Sequence, residues 1–268
     1  MRAKEHIEPV LVARGDDGVV IIEICRPERR NALSLEALEL LRSTFAALHG
    51  DRTLKFAILT GAGDRSFAAG GDLQELAHYR SSEDAAHISH TGRRALDAVR
   101  QCPVPVYAAI NGHALGGGAE LALACDFRIA KASATLGFLQ GKLNITTAWG
   151  GGADLLSLMG ANRGLELLLR SRVMNMTEAL GRGLIDTIVP EDADLIEAVR
   201  AHAAHFSSKP AHLIQAFSRI AHAAKSHLGA AIEGVEFKSF VETWVHEAHW
   251  AAATESLSRA KTADAKPE

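Results

Sequence analysis

Val104-Pro105-Val106-Tyr107-Ala108-Ala109-Ile110 runs directly into Asn111-Gly112-His113-Ala114-Leu115-Gly116-Gly117-Gly118-Ala119-Glu120. The first seven residues form an apolar run with its prolines near the start, where a strand tolerates them. Asn111-Gly112 then turns the chain into a glycine run that opens a helix through Leu121 to Ala124. Small residues let a ligand approach the backbone. The first amides of a helix lack intrahelical partners and, with the helix dipole, favour an anion. The stretch therefore predicts a buried strand, a tight turn and a helix start suited to negative charge.

The segments on either side repeat the alternation. Val19-Val20-Ile21-Ile22-Glu23-Ile24 reads as a buried strand, broken by Arg26-Pro27-Glu28-Arg29-Arg30. Ser34 is placed to cap a helix with Leu38, Leu41, Phe45 and Leu48 on one face and Gly50 as a stop. Phe56-Ala57-Ile58-Leu59-Thr60 is a second strand that ends in Gly61-Ala62-Gly63-Asp64, and Asp126-Phe127-Arg128-Ile129-Ala130 is a short later one. Strands alternating with helices predict an α/β fold. Beyond Pro190 the spacing becomes helical, which divides the chain into a core over 1–190 and a helical C-terminal segment over 191–268. No internal repeat is visible, and the tail from Lys261 to Glu268 is polar and expected to fray.

A second glycine-rich loop, Ser66-Phe67-Ala68-Ala69-Gly70-Gly71-Asp72-Leu73, precedes the first in the chain. One N–H from each loop could pinch a single oxygen, the arrangement that stabilises an oxyanion. Neither loop is a P-loop, because no Gly-Lys-Ser/Thr follows, and no Gly-x-Ser-x-Gly nucleophile elbow occurs.

Three stretches in this order and spacing resemble the successive signatures of the enoyl-CoA hydratase/isomerase (crotonase) superfamily. They are Arg26-Pro27-Glu28-Arg29-Arg30-Asn31-Ala32-Leu33, Phe67-Ala68-Ala69-Gly70-Gly71-Asp72-Leu73 and Asn111 to Glu120. The resemblance implies a spiral of β-β-α units with a helical C-terminal extension that assembles trimers or hexamers. It implies an oxyanion hole from the amides of Ala69 and Gly117, holding a thioester carbonyl as it becomes an enolate. It puts coenzyme A near Arg26, Arg29, Ala32, Ala68, Gly70, Asp72 and Leu73, as part of the substrate and with no tightly bound cofactor.

Glu120 matches the first of two catalytic glutamates in the hydratases of this family. The second position, within Leu136-Gly137-Phe138-Leu139-Gln140-Gly141-Lys142-Leu143, carries Gln140. An amide hydrogen-bonds but exchanges no proton near neutral pH. Trp149-Gly150-Gly151, with Glu236, Phe240, Trp244 and His249 further on, resembles the ethylmalonyl-CoA decarboxylase branch. Decarboxylation would leave an enolate without removing a C–H proton, and Gln140 could then bind the departing carboxylate. Trp149 reads equally as a core aromatic. The resemblance leaves open an acyl-CoA lyase of the hydratase kind, a decarboxylase of ethylmalonyl- or methylmalonyl-CoA, a thioester hydrolase, or an acyl-CoA binder. The acyl pocket is expected between the segments 78–91 and 136–147.

Composition narrows the partners. A formal net charge of -3 with scattered basic residues gives no footprint for nucleic acid or a membrane surface. Cys25, Cys102 and Cys125 make no CxxC pair, which suits reduced thiols in a cytoplasm, and Cys125 reads as packing. The start, Met1 to His6, opens no apolar leader stretch. His246 and His249 stand at i and i+3, one residue short of a zincin helix, and most of the 13 histidines are expected at the surface.

Overall fold

The structure, a computed structural model, describes residues 8–264, without the side chains of 226–228 and 260–264; Met1 to His6 and the last residues of the polar tail lie outside the described part. β1 (Val10–Arg14) pairs antiparallel with β2 (Val19–Ile24), and α1 (Leu35–Ala46) follows. The Ser34 hydroxyl accepts from the Ala37 N–H at 3.1 Å, as the capping pattern predicts, and Leu38, Leu41 and Phe45 are buried beneath the sheet.

The chain then winds a spiral. β3 (Phe56–Gly61) joins one sheet, β4 (Ser66–Ala68) joins a second, and α2 (Leu73–Leu76) and α3 (Ser82–Arg100) carry the chain back. The next turn is β5 (Val106–Ile110), β6 (His113–Leu115) and α4 (Gly117–Ala124). The third is β7 (Phe127–Lys131) and β8 (Thr135–Gly137), followed by α5 (Gly151–Met159) and α6 (Ala161–Arg170). β9 (Met174–Asn175), α7 (Met176–Gly181) and β10 (Thr187–Val189) finish the two sheets, and α8 (Leu195–Ser207), α9 (Ala211–Trp244) and α10 (Glu247–Asp264) finish the described chain. The sheet orders are β1-β2-β3-β5-β7-β10 and β4-β6-β8-β9. From β2 to β10 the larger sheet is parallel throughout. This is the β-β-α spiral that the resemblance implied. The repeat escapes the sequence because each second strand is only three residues long: β4 and β6 read as loop, turn or helix start.

One face of the large sheet meets α1 and α3 in the main core. On the other, Val199 and Ala203 of α8 cover Phe56, Tyr107 and Ile129. His202 of α8 is drawn into that layer, with Nδ1 at 3.1 Å from the Tyr107 hydroxyl. The segment after 190 is not set apart from the core, since Phe240 and Trp244 of α9 belong to the main apolar cluster. The backbone of α10 stays helical to Asp264, past Lys261, where fraying was expected to begin. No helix among the described residues is long and apolar enough to cross a membrane.

Candidate active site

β4 and β6 are adjacent parallel strands, so the loops leaving their C-terminal ends meet. Gly70 has φ +102° and sits where a Cβ would lie 3.0 Å from the Leu115 carbonyl oxygen and 3.5 Å from the Gly117 nitrogen. A side chain there would strain the backbone and cover the Gly117 amide. Gly117 is the first residue of α4, and its N–H has no partner among the described residues.

The expected partner amide is corrected by one turn of pleat. The Ala69 N–H donates to the Arg30 carbonyl at 3.1 Å and is not free for a ligand. The strip runs alongside the first signature: Leu33 donates to the Gly70 carbonyl at 2.8 Å and Asp72 donates to the Leu33 carbonyl at 3.0 Å. Amides alternate sides along extended backbone. With Asp72 turned toward Leu33, the Gly71 N–H faces the other way, and it has no partner among the described residues. Gly71 and Gly117 both border one cavity of about 260 Å3.

That cavity is mostly apolar, walled by Leu76, Ile88, Leu139, Leu143, Ile145 and Ala148, with Phe240, Trp244 and Ser256 supplied by α9 and α10. Of the two segments expected around an acyl pocket, 136–147 gives this cavity much of its wall and 78–91 gives Ile88, and residues of α9 and α10 complete the lining. Trp149 is buried against three glycines: a Cβ on Gly92 would fall 2.1 Å from its Nε1, one on Gly117 2.1 Å from its Cζ3, and one on Gly71 3.6 Å from its Cη2. Its Nε1 is buried without a partner.

Glu120 lies in the first turn of α4, buried, on the cavity wall. Its Oε2 accepts from the N–H groups of Trp149 and Gly151, each at 3.0 Å, and its Oε1 accepts from Gln140 Nε2 at 2.8 Å. Burial, and then the nearby carboxylate of Glu236, push its carboxyl up to about 7, against the pull of those three donors. Gln140 Oε1, also buried, has no partner. Glu120 and Gln140 are thus brought together as the resemblance implies.

The expected coenzyme A contacts divide. Leu73 and Gly70 line the cavity. Arg26 pairs with Asp72 at 2.9 Å and also donates to the Ala32 carbonyl, fastening the first signature to the second. Arg29 is exposed and donates to Gln74 Oε1. Ala68 is wholly buried in β4, with its carbonyl against Gly118, and has no surface to offer a ligand; that expectation is corrected. Asp72 caps α2.

Sequence reasoning missed Gly71, Thr147 and Arg93, and gave Glu236 no role. The turn carrying Thr147 and Gly152 holds Glu236, which Arg93 approaches at 3.3 Å. Counting pleat from Asp72 could have found Gly71; the others meet only in the folded chain. His249 is buried, with Nδ1 at 2.7 Å from the Leu143 carbonyl, and burial lowers its proton affinity, while His246 Nδ1 accepts from the Ala248 N–H at 3.1 Å. The Cys125 thiol is buried and points back to the Leu121 carbonyl.

The enoyl-CoA hydratase/isomerase family model matches residues 14–259. A crotonyl-CoA hydratase of Syntrophomonas wolfei is 33% identical over 199 residues, covering 74% of this chain and 76% of that protein. A probable enoyl-CoA hydratase of Bacillus subtilis is 32% identical over 232 residues, covering 87% and 89%. The crystal structure of an enoyl-CoA hydratase from Bacillus anthracis superposes with a TM-score of 0.76 at 35% identity, covering 88% of this chain and 92% of that one. With its spiral, its paired glycine loops and its buried Glu120, the chain is a member of the enoyl-CoA hydratase/isomerase family.

Proposed function

We propose that the protein is an acyl-CoA hydro-lyase that adds water across the double bond of an enoyl-CoA, or removes it, using a single carboxyl group. The observation that carries this reading is the open Oε1 of Gln140 beside Glu120 Oε1. A water placed there donates one hydrogen to each acceptor and keeps its lone pairs for attack. Glu120 takes the proton as the water oxygen bonds to the β-carbon. The double-bond electrons move onto the thioester oxygen, where the amides of Gly71 and Gly117 stabilise the charge. The protonated Glu120 then returns the proton to the α-carbon, so one water is consumed and no other reactant is needed. A carboxyl with a pKa near 7 suits both halves of that cycle.

Decarboxylation fits less well. Gln140 gives an N–H to Glu120, so its open atom is an acceptor facing an acceptor-only carboxylate. We assign the nucleotide portion of coenzyme A, which enters only as substrate, to the first signature at Arg26, Arg29 and Ala32, with the buried Asp72 holding Arg26 in place. Exposed Phe217, Ile220 and Val235 on α9 support a homotrimer or hexamer built through the C-terminal helices, which the mass in solution tests. The free thiols accord with a cytoplasmic enzyme.

The test is a panel of CoA thioesters analysed by mass spectrometry. Gain of one water by an enoyl-CoA supports the reading. Loss of carbon dioxide from a branched malonyl-CoA, release of free CoA thiol, or binding without turnover would each replace it.

A further inference from the structure

Glu236 is also a buried carboxylate, and it does not line the cavity. One turn of chain holds it and Glu120 together. The amides of Trp149 and Gly151 go to Glu120 Oε2. The next amide, Gly152, goes to Glu236 Oε1 at 3.1 Å, joined there by the Thr147 hydroxyl at 2.6 Å. The fit admits nothing larger, since a Cβ on Gly152 would fall 2.7 Å from Glu236 Oε1 and one on Gly151 2.3 Å from Glu120 Cγ. α4 and α9 are thus tied to opposite sides of the turn 147–152 through their carboxylates.

We propose that Glu236 is a positioning residue for Glu120: it clamps the turn whose amides orient the reacting carboxyl, and it places a fixed negative charge beside it. The inference rests on the role given to Glu120 above. The amides opening α5, taken alone, would favour an ionised Glu120 and make it an ordinary weak base. Burial opposes that first, and the Glu236 carboxylate adds to it. Glu236 shares this corner with further charges, of which Arg93 opposes it directly. Arg93 of α3 lies between Glu236 at 3.3 Å, Glu233 of α9 at 3.4 Å and Asp97 of α3 at 3.6 Å. Arg100 of α3 pairs with Asp97 at 2.6 Å and with Asp154 of α5 at 2.7 Å, and also donates to the Trp149 carbonyl. Lys142, exposed on the cavity rim, is the remaining charge near Gln140.

The experiment is an infrared titration of Glu120 in the substrate-free enzyme, with Glu120→Gln identifying the band. Glu236→Gln retains an oxygen for Thr147 and Gly152 and loses the charge. The midpoint should fall by about one pH unit, and the rising limb of the kcat/KM profile should fall with it. Arg93→Gln removes the opposing cation and should move the midpoint up, which keeps the test alive if Glu236→Gln does not fold. An unchanged midpoint in the folded variants overturns the proposal and leaves Glu236 a structural tie. A shifted midpoint in a protein that hydrates no enoyl-CoA upholds this inference and removes the proposed reaction.

Discussion

Gln140 Nε2 donates to Glu120 Oε1 across 2.8 Å, so the side chain standing opposite the reacting carboxyl is its hydrogen-bond donor. Gln140→Leu would remove that donor and the open acceptor together. If both grip the water complex, kcat for hydration should fall roughly 10- to 100-fold, the worth of a hydrogen bond to a charged group, with KM little changed. Steady-state kinetics on crotonyl-CoA measure it; a variant as fast as the parent refutes the water site.

In the proposed reaction Glu120 acts as a base only when ionised. With its carboxyl pushed up to about 7, kcat/KM should rise with pH through that value. Stability should run the other way. The folded-state value lies above the ordinary 4.5, so the protonated form contributes stability that is complete below 4.5 and lost as pH climbs through about 7. Glu120→Gln should flatten this decline, reading as a smaller fall in melting temperature between pH 5 and pH 8.

Gly70→Ala would force a side chain onto a backbone at φ +102° and aim it at the Gly117 amide. Obstructing one oxyanion donor costs about 100- to 1,000-fold in kcat. That loss should exceed the fall in thermal stability, which differential scanning calorimetry records. A full-speed Gly70→Ala enzyme would exclude this corner as the anion site.

Trp149→Phe removes a buried indole N–H that has no partner and vacates part of the notch formed by Gly92, Gly117 and Gly71. The orphaned donor carries a desolvation cost of about 1–3 kcal/mol, which offsets the lost contacts. The melting temperature should hold within a few degrees, while the preferred acyl group becomes larger. A screen of chain lengths reads the second effect, and unaltered preference would show that Trp149 does not bound the acyl site.

The sequence shows the long strands, the Ser34 cap and Glu120 because each is written in consecutive residues or in a signature. Strand ends are less legible: β5 begins at Val106, after Pro105, because Val106 is the first residue in register with the neighbouring strand β3, opposite Ala57. Ala69 was taken for a donor because a motif names residues and not the side to which an amide points. Pairing with Arg30 and Leu33, remote in the chain, decides that. Glu236 lay hidden for the same reason, being 84 residues from the Gly152 amide that holds it.

The two free amides owe their position to strand register and helix phase, so no side chain encodes them. Substitution can therefore exchange the groups around Glu120, as at Gln140, while the place for the anion stays unaltered. New reactions on this scaffold need only a change in what delivers or accepts the proton. A route to a redesigned catalyst accordingly begins at positions 120, 140 and 236 and leaves the glycine loops as they are.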